Sequence, residues 1–192
     1  MTHSLNEINA LAKRAARGAG MSWGMAEETG KACRWLASHD LPALTLLADL
    51  LYLNDGVAHD QIAPATLTGA WAATSGTMCP LASGAALSDS ADRLAAGDVI
   101  EMCGLSHPLF IMPFAAWAAL YLGAPVSVRW MQTECRSDGH MLSCAGPTDQ
   151  IGTQTATTVT CARVAQMPDA ARAPALRASP CLQALERLNA LA

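Results

Sequence analysis

Charge is scarce in this chain. Asp, Glu, Lys and Arg make up 15% of its 192 residues, where soluble domains carry nearer a quarter. Lys and Arg form no long run. The densest cationic spot is Lys13, Arg14 and Arg17, and the net charge is −4. A nucleic-acid-binding face needs a broad basic surface, so that class is excluded. Cys-x-x-Cys pairs are missing too, as is any Cys/His cluster of zinc type. His39-Asp40 and His59-Asp60 are His-Asp dipeptides. Adjacent residues seldom both ligate one ion, so no metal is expected. No organic cofactor is expected either, because Trp71, Trp117, Trp130 and Met131 read as core. Met1 to Glu7 holds no cationic segment leading into an apolar one, which reads as no signal peptide. From Met102 to Val128 there is no Asp, Glu, Lys or Arg. Pro108, Pro113 and Pro125, with Gly104 and Gly123, interrupt that stretch too often for a membrane-spanning helix. No internal repeat is visible.

What the chain does have is apolar surface. Hydrophobic residues are 52% of it. Disorder is excluded on that composition, and the length suits one domain that can bury a core unaided. Seven cysteines is an odd number at scattered spacing. All seven read as reduced thiols, which places the protein in the cytoplasm. Cys135 and Cys144 flank a turn. With Asp138-Gly139 as a two-residue hairpin turn, Cys135 faces Leu142 and Cys144 faces Thr133, so the two cysteines are not partners.

Ser4 and Glu7 form a capping box ahead of Leu5, Ile8, Leu11 and Ala15, which predicts a helix over 4–17. Gly18 and Gly20 end it. Ser22 caps a second helix to about Ser38, with Glu27 and Lys31 as an i, i+4 ion pair. Its stripe of small residues, Ala26, Gly30, Cys33 and Ala37, lets another backbone come close. Pro42 opens a third helix to about Leu53, with Leu44, Leu47, Leu50 and Leu51 as its core face. Pro64 and Thr66 suggest a short helix through Trp71. After Gly97-Asp98 the pattern turns strand-like: Val99–Cys103, Leu109–Met112, Val126–Met131, the hairpin to Cys144, and Thr155–Val164. Phe114–Leu122 reads as a buried helix ending at Gly123. Ser179-Pro180 starts a closing helix with Leu182, Leu185, Leu188 and Leu191 on one face. The order gives an α+β fold in a single domain, 1–192. A three-helix segment (1–54) packs on a mostly antiparallel sheet (98–165) with one inserted helix, and a C-terminal helix (179–192) closes it.

Three stretches, Ser4-Leu5-Asn6-Glu7, Ala12–Gly20 and Ser22–Glu28, resemble the start of an uncharacterised bacterial family, the domain of unknown function 3726. Cys79-Pro80-Leu81 and His107-Pro108-Leu109 to Pro113-Phe114 are similar to it as well, so the resemblance spans most of the chain. It implies a soluble bacterial protein, and relatives that continue past the position of Ala192 with a glycine-rich tail. It implies no activity.

Three sets of residues are candidates for function. Gly18, Gly20, Ser22, Trp23 and Gly24 surround a helix start beside Arg17. Exposed helix amides and a guanidinium both attract carboxylate or phosphate, so a small anionic metabolite is one expected ligand. Against this stands a plain glycine connection, because the Gly-x-Gly here follows a helix rather than a strand. Glu27 with Lys31 could transfer protons if partly buried; an exposed ion pair is the plainer reading. Cys79 lies where a loop enters a helix and His107 in a loop before a strand. Together they could act as nucleophile and base, or be one buried thiol and one distant histidine. The functions that follow are binding of an anionic metabolite as an accessory protein, a small-molecule hydrolase or lyase using Cys79 or Glu27/Lys31, or a self-associating structural subunit.

Overall fold

The computed structural model describes residues 2–192. The chain divides into two compact units, one running to Gly56 and completed by Pro174–Ala192, the other Val57–Ala173.

The first unit is helical. Ser4 caps α1 (Leu5–Gly18), and the capping box is present: the Ser4 amide donates to Glu7 Oε2 at 2.7 Å and the Glu7 amide to Ser4 Oγ at 3.2 Å. Ile8, Leu11, Ala12, Ala15 and Ala16 are its buried face. Ser22 caps α2 (Trp23–Ser38), its Oγ accepting from the Met25 amide. The small-residue stripe does what its spacing implies. A Cβ on Gly30 would come within 2.7 Å of Asn9 Oδ1 and 2.9 Å of Asn9 O, so α1 and α2 meet there backbone to backbone. The α3 helix (Ala43–Leu53) buries Leu44, Leu46, Leu47, Leu50 and Leu51. A short strand pair, β1 (His3–Ser4) with β7 (Arg177–Ala178), brings in the C-terminal segment. That segment ends in α9 (Leu182–Leu191), which packs on α1 and α3. The closing helix forms where expected, with a different buried face. Ala184 and Leu188 are buried, while Leu182 is 69% exposed.

The second unit holds a five-stranded, wholly antiparallel sheet. Its strands are β2 (Val99–Ser106), β3 (Val126–Trp130), β4 (Thr133–Ser137), β5 (Leu142–Ala145) and β6 (Thr155–Arg163), in the order β2-β6-β3-β4-β5. The helices packed with it are α5 (Pro80–Asp89), α6 (Ala91–Ala95) and α7 (Ile111–Leu122). Single turns α4 (His59–Ile62) and α8 (Thr148–Ile151) complete the unit. The α+β class and the antiparallel sheet agree with the sequence pattern. The α7 helix is buried on nearly every side, as its lack of charge implies, and Gly123 ends it at φ 59°.

Three expectations are overturned. Leu109–Met112 is not a strand. Pro108–Phe110 forms a 3-10 turn that runs into α7, and Pro113 falls in the first helical turn, where its missing N–H costs nothing. Residues 66–71 form no helix; Trp71 instead bridges to Met102 in parallel. Cys135 and Cys144 do face each other, at a Cα–Cα distance of 4.1 Å, and form a disulfide. The hairpin loop is longer than two residues, since Ser137 pairs with Leu142. Asp138 Oδ1 accepts the amides of His140 and Met141, and Ser137 Oγ accepts that of Gly139. These side chains give the backbone a wider turn than Asp-Gly alone would make, which moves Cys144 opposite Cys135. The reading of all seven cysteines as reduced is corrected accordingly. Cys33, Cys79, Cys103, Cys161 and Cys181 form no disulfide.

Candidate functional site

The stretch before α5 runs alongside β2 like an added parallel strand. The Trp71 amide donates to Glu101 O and the Cys103 amide to Trp71 O, both at 2.8 Å. Seven residues later the contact repeats. The Met78 amide donates to Gly104 O at 2.7 Å, and the Ser106 amide and Oγ both donate to Met78 O, at 3.1 and 3.0 Å. Gly104 makes this possible. It sits at φ +65°, and a Cβ there would lie 2.3 Å from Gly76 O.

That pairing runs up to Cys79 on one segment and to His107 on the other, both in the second unit. Met78, one residue before Cys79, is bonded to Ser106, one residue before His107. Both are buried, at 3% and 2% exposure. Cys79 is the N-cap of α5, with Pro80 at the first helical position, where proline suits a helix start. Its amide donates to Ile62 O at 2.8 Å, and its carbonyl accepts the Ser83 amide. His107 has the left-handed backbone φ 41°, ψ 60°. Such a conformation in a bulky residue is costly and persists where neighbours enforce it. The His107 amide donates to Gln154 O at 2.8 Å, and its carbonyl accepts from Phe110.

Burial pushes Cys161 up to about 12 and pushes Cys33 up further. Burial and the Glu101 carboxylate raise Cys103.

The Arg17 cluster is arranged differently. The guanidinium donates to Met21 O and lies over the Trp23 ring, 4.4 Å from its centroid. Trp23 is 70% exposed. Gly18 serves packing, for a Cβ there would lie 1.4 Å from Leu191 O. The Cβ positions of Gly20 and Gly24 meet nothing within 4 Å, so the start of α2 is uncrowded.

The expected Glu27–Lys31 pair is not made. Glu27 is bonded to Lys13 of α1, and Lys31 Nζ lies 2.9 Å from Glu28 Oε1. The α1–α2 packing sets a nearer cation beside Glu27 than its own helix does. The hydrogen bond from Lys13 holds the Glu27 carboxyl below its ordinary value, which makes it a weaker base.

Sequence reasoning missed Ser106, Gln154 and Gly104 as the residues that hold these segments. Only Gly104 left a mark, as a glycine directly after the expected strand Val99–Cys103, and it falls inside β2.

The class defined is therefore an α+β protein with a buried cysteine at a helix start and a buried histidine of left-handed backbone in the same unit. Residues 3–79 match the family described as a protein of unknown function (DUF3726), and over them the chain resembles that family. Cys79 is the last matched residue; His107 lies beyond. No curated protein and no solved structure matches the chain. Among the described residues no helix is long and apolar enough to cross a membrane, and no three His, Cys, Asp or Glu gather as metal ligands.

Proposed function

We propose that the chain is a thiol-dependent hydrolase or lyase of a small molecule, with Cys79 as nucleophile and His107 as base. The observation that supports this reading is the Met78–Ser106 pairing, which joins the residue before Cys79 to the residue before His107. The amides opening α5 favour a thiolate at that position, and an imidazole takes the proton. In hydrolysis the sulfur attacks an acyl carbon, the leaving group departs with a proton from His107, and water cleaves the thioester. Hydrolysis of p-nitrophenyl acetate, with mass-spectrometric mapping of alkylated cysteines, tests this. Cys79 should alkylate well ahead of Cys33 and Cys161, and His107→Ala should slow both readouts by about 100-fold, the low end for general-base loss. Alkylation of Cys79 as slow as that of Cys161 refutes it.

Five cysteines outside the disulfide accord with a cytoplasmic location, where cysteines stay reduced. A second reading, an anionic metabolite held at Arg17 and the start of α2, is favoured by the guanidinium fixed over exposed Trp23 beside uncrowded Gly20 and Gly24. The two readings use different units of the chain.

A further inference from the structure

The Cys135–Cys144 disulfide stands apart from the other cysteines. The other described cysteines form no disulfide, and among them Cys181 is exposed. A chain built for an oxidising compartment pairs its thiols; a single disulfide in a reducing one is usually transient or redox-sensing. Its place in the fold suits reversal. β5 is the edge strand of the sheet, held by β4 on one side and by two hydrogen bonds between Leu142 and Arg172 on the other. Cys135 is fully buried, whereas Cys144 is half-buried, so Cys144 is the more exposed of the two partners. Cys161 lies in the same cross-sheet row as Cys135, with Val128 between them, so no neighbouring thiol replaces either partner.

The chain leaving Cys144 leads to the candidate site. Gly146, at φ +128°, lies against Gln132 and Thr133; a Cβ there would be 2.6 Å from Gln132 O. In α8, Gln150 O accepts from Trp130 Nε1 at 2.8 Å, and Gln150 Oε1 accepts the Gln132 amide at 3.1 Å. Four residues on, Gln154 O accepts the His107 amide. One stretch, 142–154, thus runs from the disulfide to the backbone of the strained histidine.

We infer that this disulfide is a reversible redox switch whose reduction loosens residues 142–154 and relaxes His107. What is regulated rests on the thiol-enzyme reading; the conformational response does not. A dithiol supplies the electrons. One of its thiolates attacks Cys144 Sγ, the S–S bond breaks, and Cys135 leaves as a thiolate and takes a proton. The second thiol then closes on the mixed disulfide and releases Cys144 as a thiol. The protein gains two electrons and two protons, and the reductant becomes a cyclic disulfide.

Amide hydrogen exchange at His107 and Leu142, followed by NMR in the full chain before and after dithiothreitol, reads the switch. Reduction should speed exchange at both by at least about tenfold, leave the amides of α1 and α3 unchanged, and reverse on reoxidation. The Cys135→Ser/Cys144→Ser double variant should match the reduced wild type, and reduced wild type alone suffices if that variant misfolds. Unchanged exchange at His107 on reduction overturns the inference. A responsive His107 with an unreactive Cys79 upholds the switch and refutes the enzyme. A reactive Cys79 with an unresponsive His107 does the reverse.

Discussion

Gly104→Ala puts the pairing of the 71–79 segment with β2 to a direct test. Two costs add. Alanine must hold φ +65°, a left-handed backbone that costs roughly 1–2 kcal/mol. Its Cβ must also sit where Gly76 O lies 2.3 Å away, and a carbonyl cannot swing aside as a flexible side chain would. Relieving such overpacking costs about 1–3 kcal/mol. The sum is about 3 kcal/mol, or roughly 6–12 °C in Tm for a chain of this size. Gly97→Ala is the control. It too has positive φ, +93°, but nothing lies within 4 Å of its Cβ position, so only the backbone cost of about 1–2 kcal/mol applies. Thermal unfolding followed by circular dichroism gives both shifts. The difference, about 2 kcal/mol, isolates the contact with the 76–79 segment. Because the Met78 amide bonds Gly104 O, the same substitution should slow alkylation of Cys79 while Gly97→Ala leaves it unchanged. Equal Tm shifts in the two variants refute the close approach of the 71–79 segment to β2.

Two further outcomes are expected. Glu134 accepts from Arg136 Nε at 2.8 Å and Arg129 Nη2 at 2.9 Å, and the Arg136 hydrogen bond leads in holding its carboxyl below the ordinary 4.5. A depressed folded-state pKa stabilises above the unfolded value and is lost as pH falls through the folded one. Glu134→Gln should therefore lower stability by about 0.2–1 kcal/mol at neutral pH, with the gap closing below pH 4.5 in urea titrations; a gap that widens in acid contradicts the pairing. Wild type should show thermal shifts with phosphate or small carboxylates that Arg17→Ala lacks, and equal shifts in both rule out the anion reading.

The helices of the first unit were legible because their signals are local. The Ser4/Glu7 box, the Ser22 cap and the leucine spacing of α3 each act within a turn or two of chain, and they set boundaries within a residue or two. The same locality explains the failures. Pro108 and Pro113 look like strand ends in sequence, yet a proline is as much at home in a first helical turn, and only the buried surroundings of α7 decide between the two. The hairpin register turned on side chains, Asp138 and Ser137, which compete with the two-residue turn that Asp-Gly favours. A longer loop put Cys144 rather than Leu142 opposite Cys135, and with it went the expectation of a chain without disulfides.

The candidate site was legible in its residue types alone. Cys79 at a helix start follows from Cys79-Pro80, since proline prefers the first helical position. Nothing local joins Cys79 to His107, which lies 28 residues further on. The pairing of the segments that carry them depends on a parallel contact between a loop and β2, and that contact depends on a glycine tolerating φ +65° with a carbonyl against its Cα. By contrast, Glu27 and Lys31 had the spacing that favours a pair and lost it to Lys13 on a neighbouring helix. An i, i+4 pair on a surface is worth only a few tenths of a kcal/mol, so any closer cation supplied by packing displaces it. Long-range geometry thus removed the pair that sequence spacing favoured and paired two segments that spacing could not join. A left-handed backbone is uncommon outside glycine, though histidine adopts it more readily than most residues. At His107 the amide is bonded to Gln154 and the carbonyl to Phe110. Anything that loosens the 142–154 stretch should therefore act first on His107, the position where strain is stored.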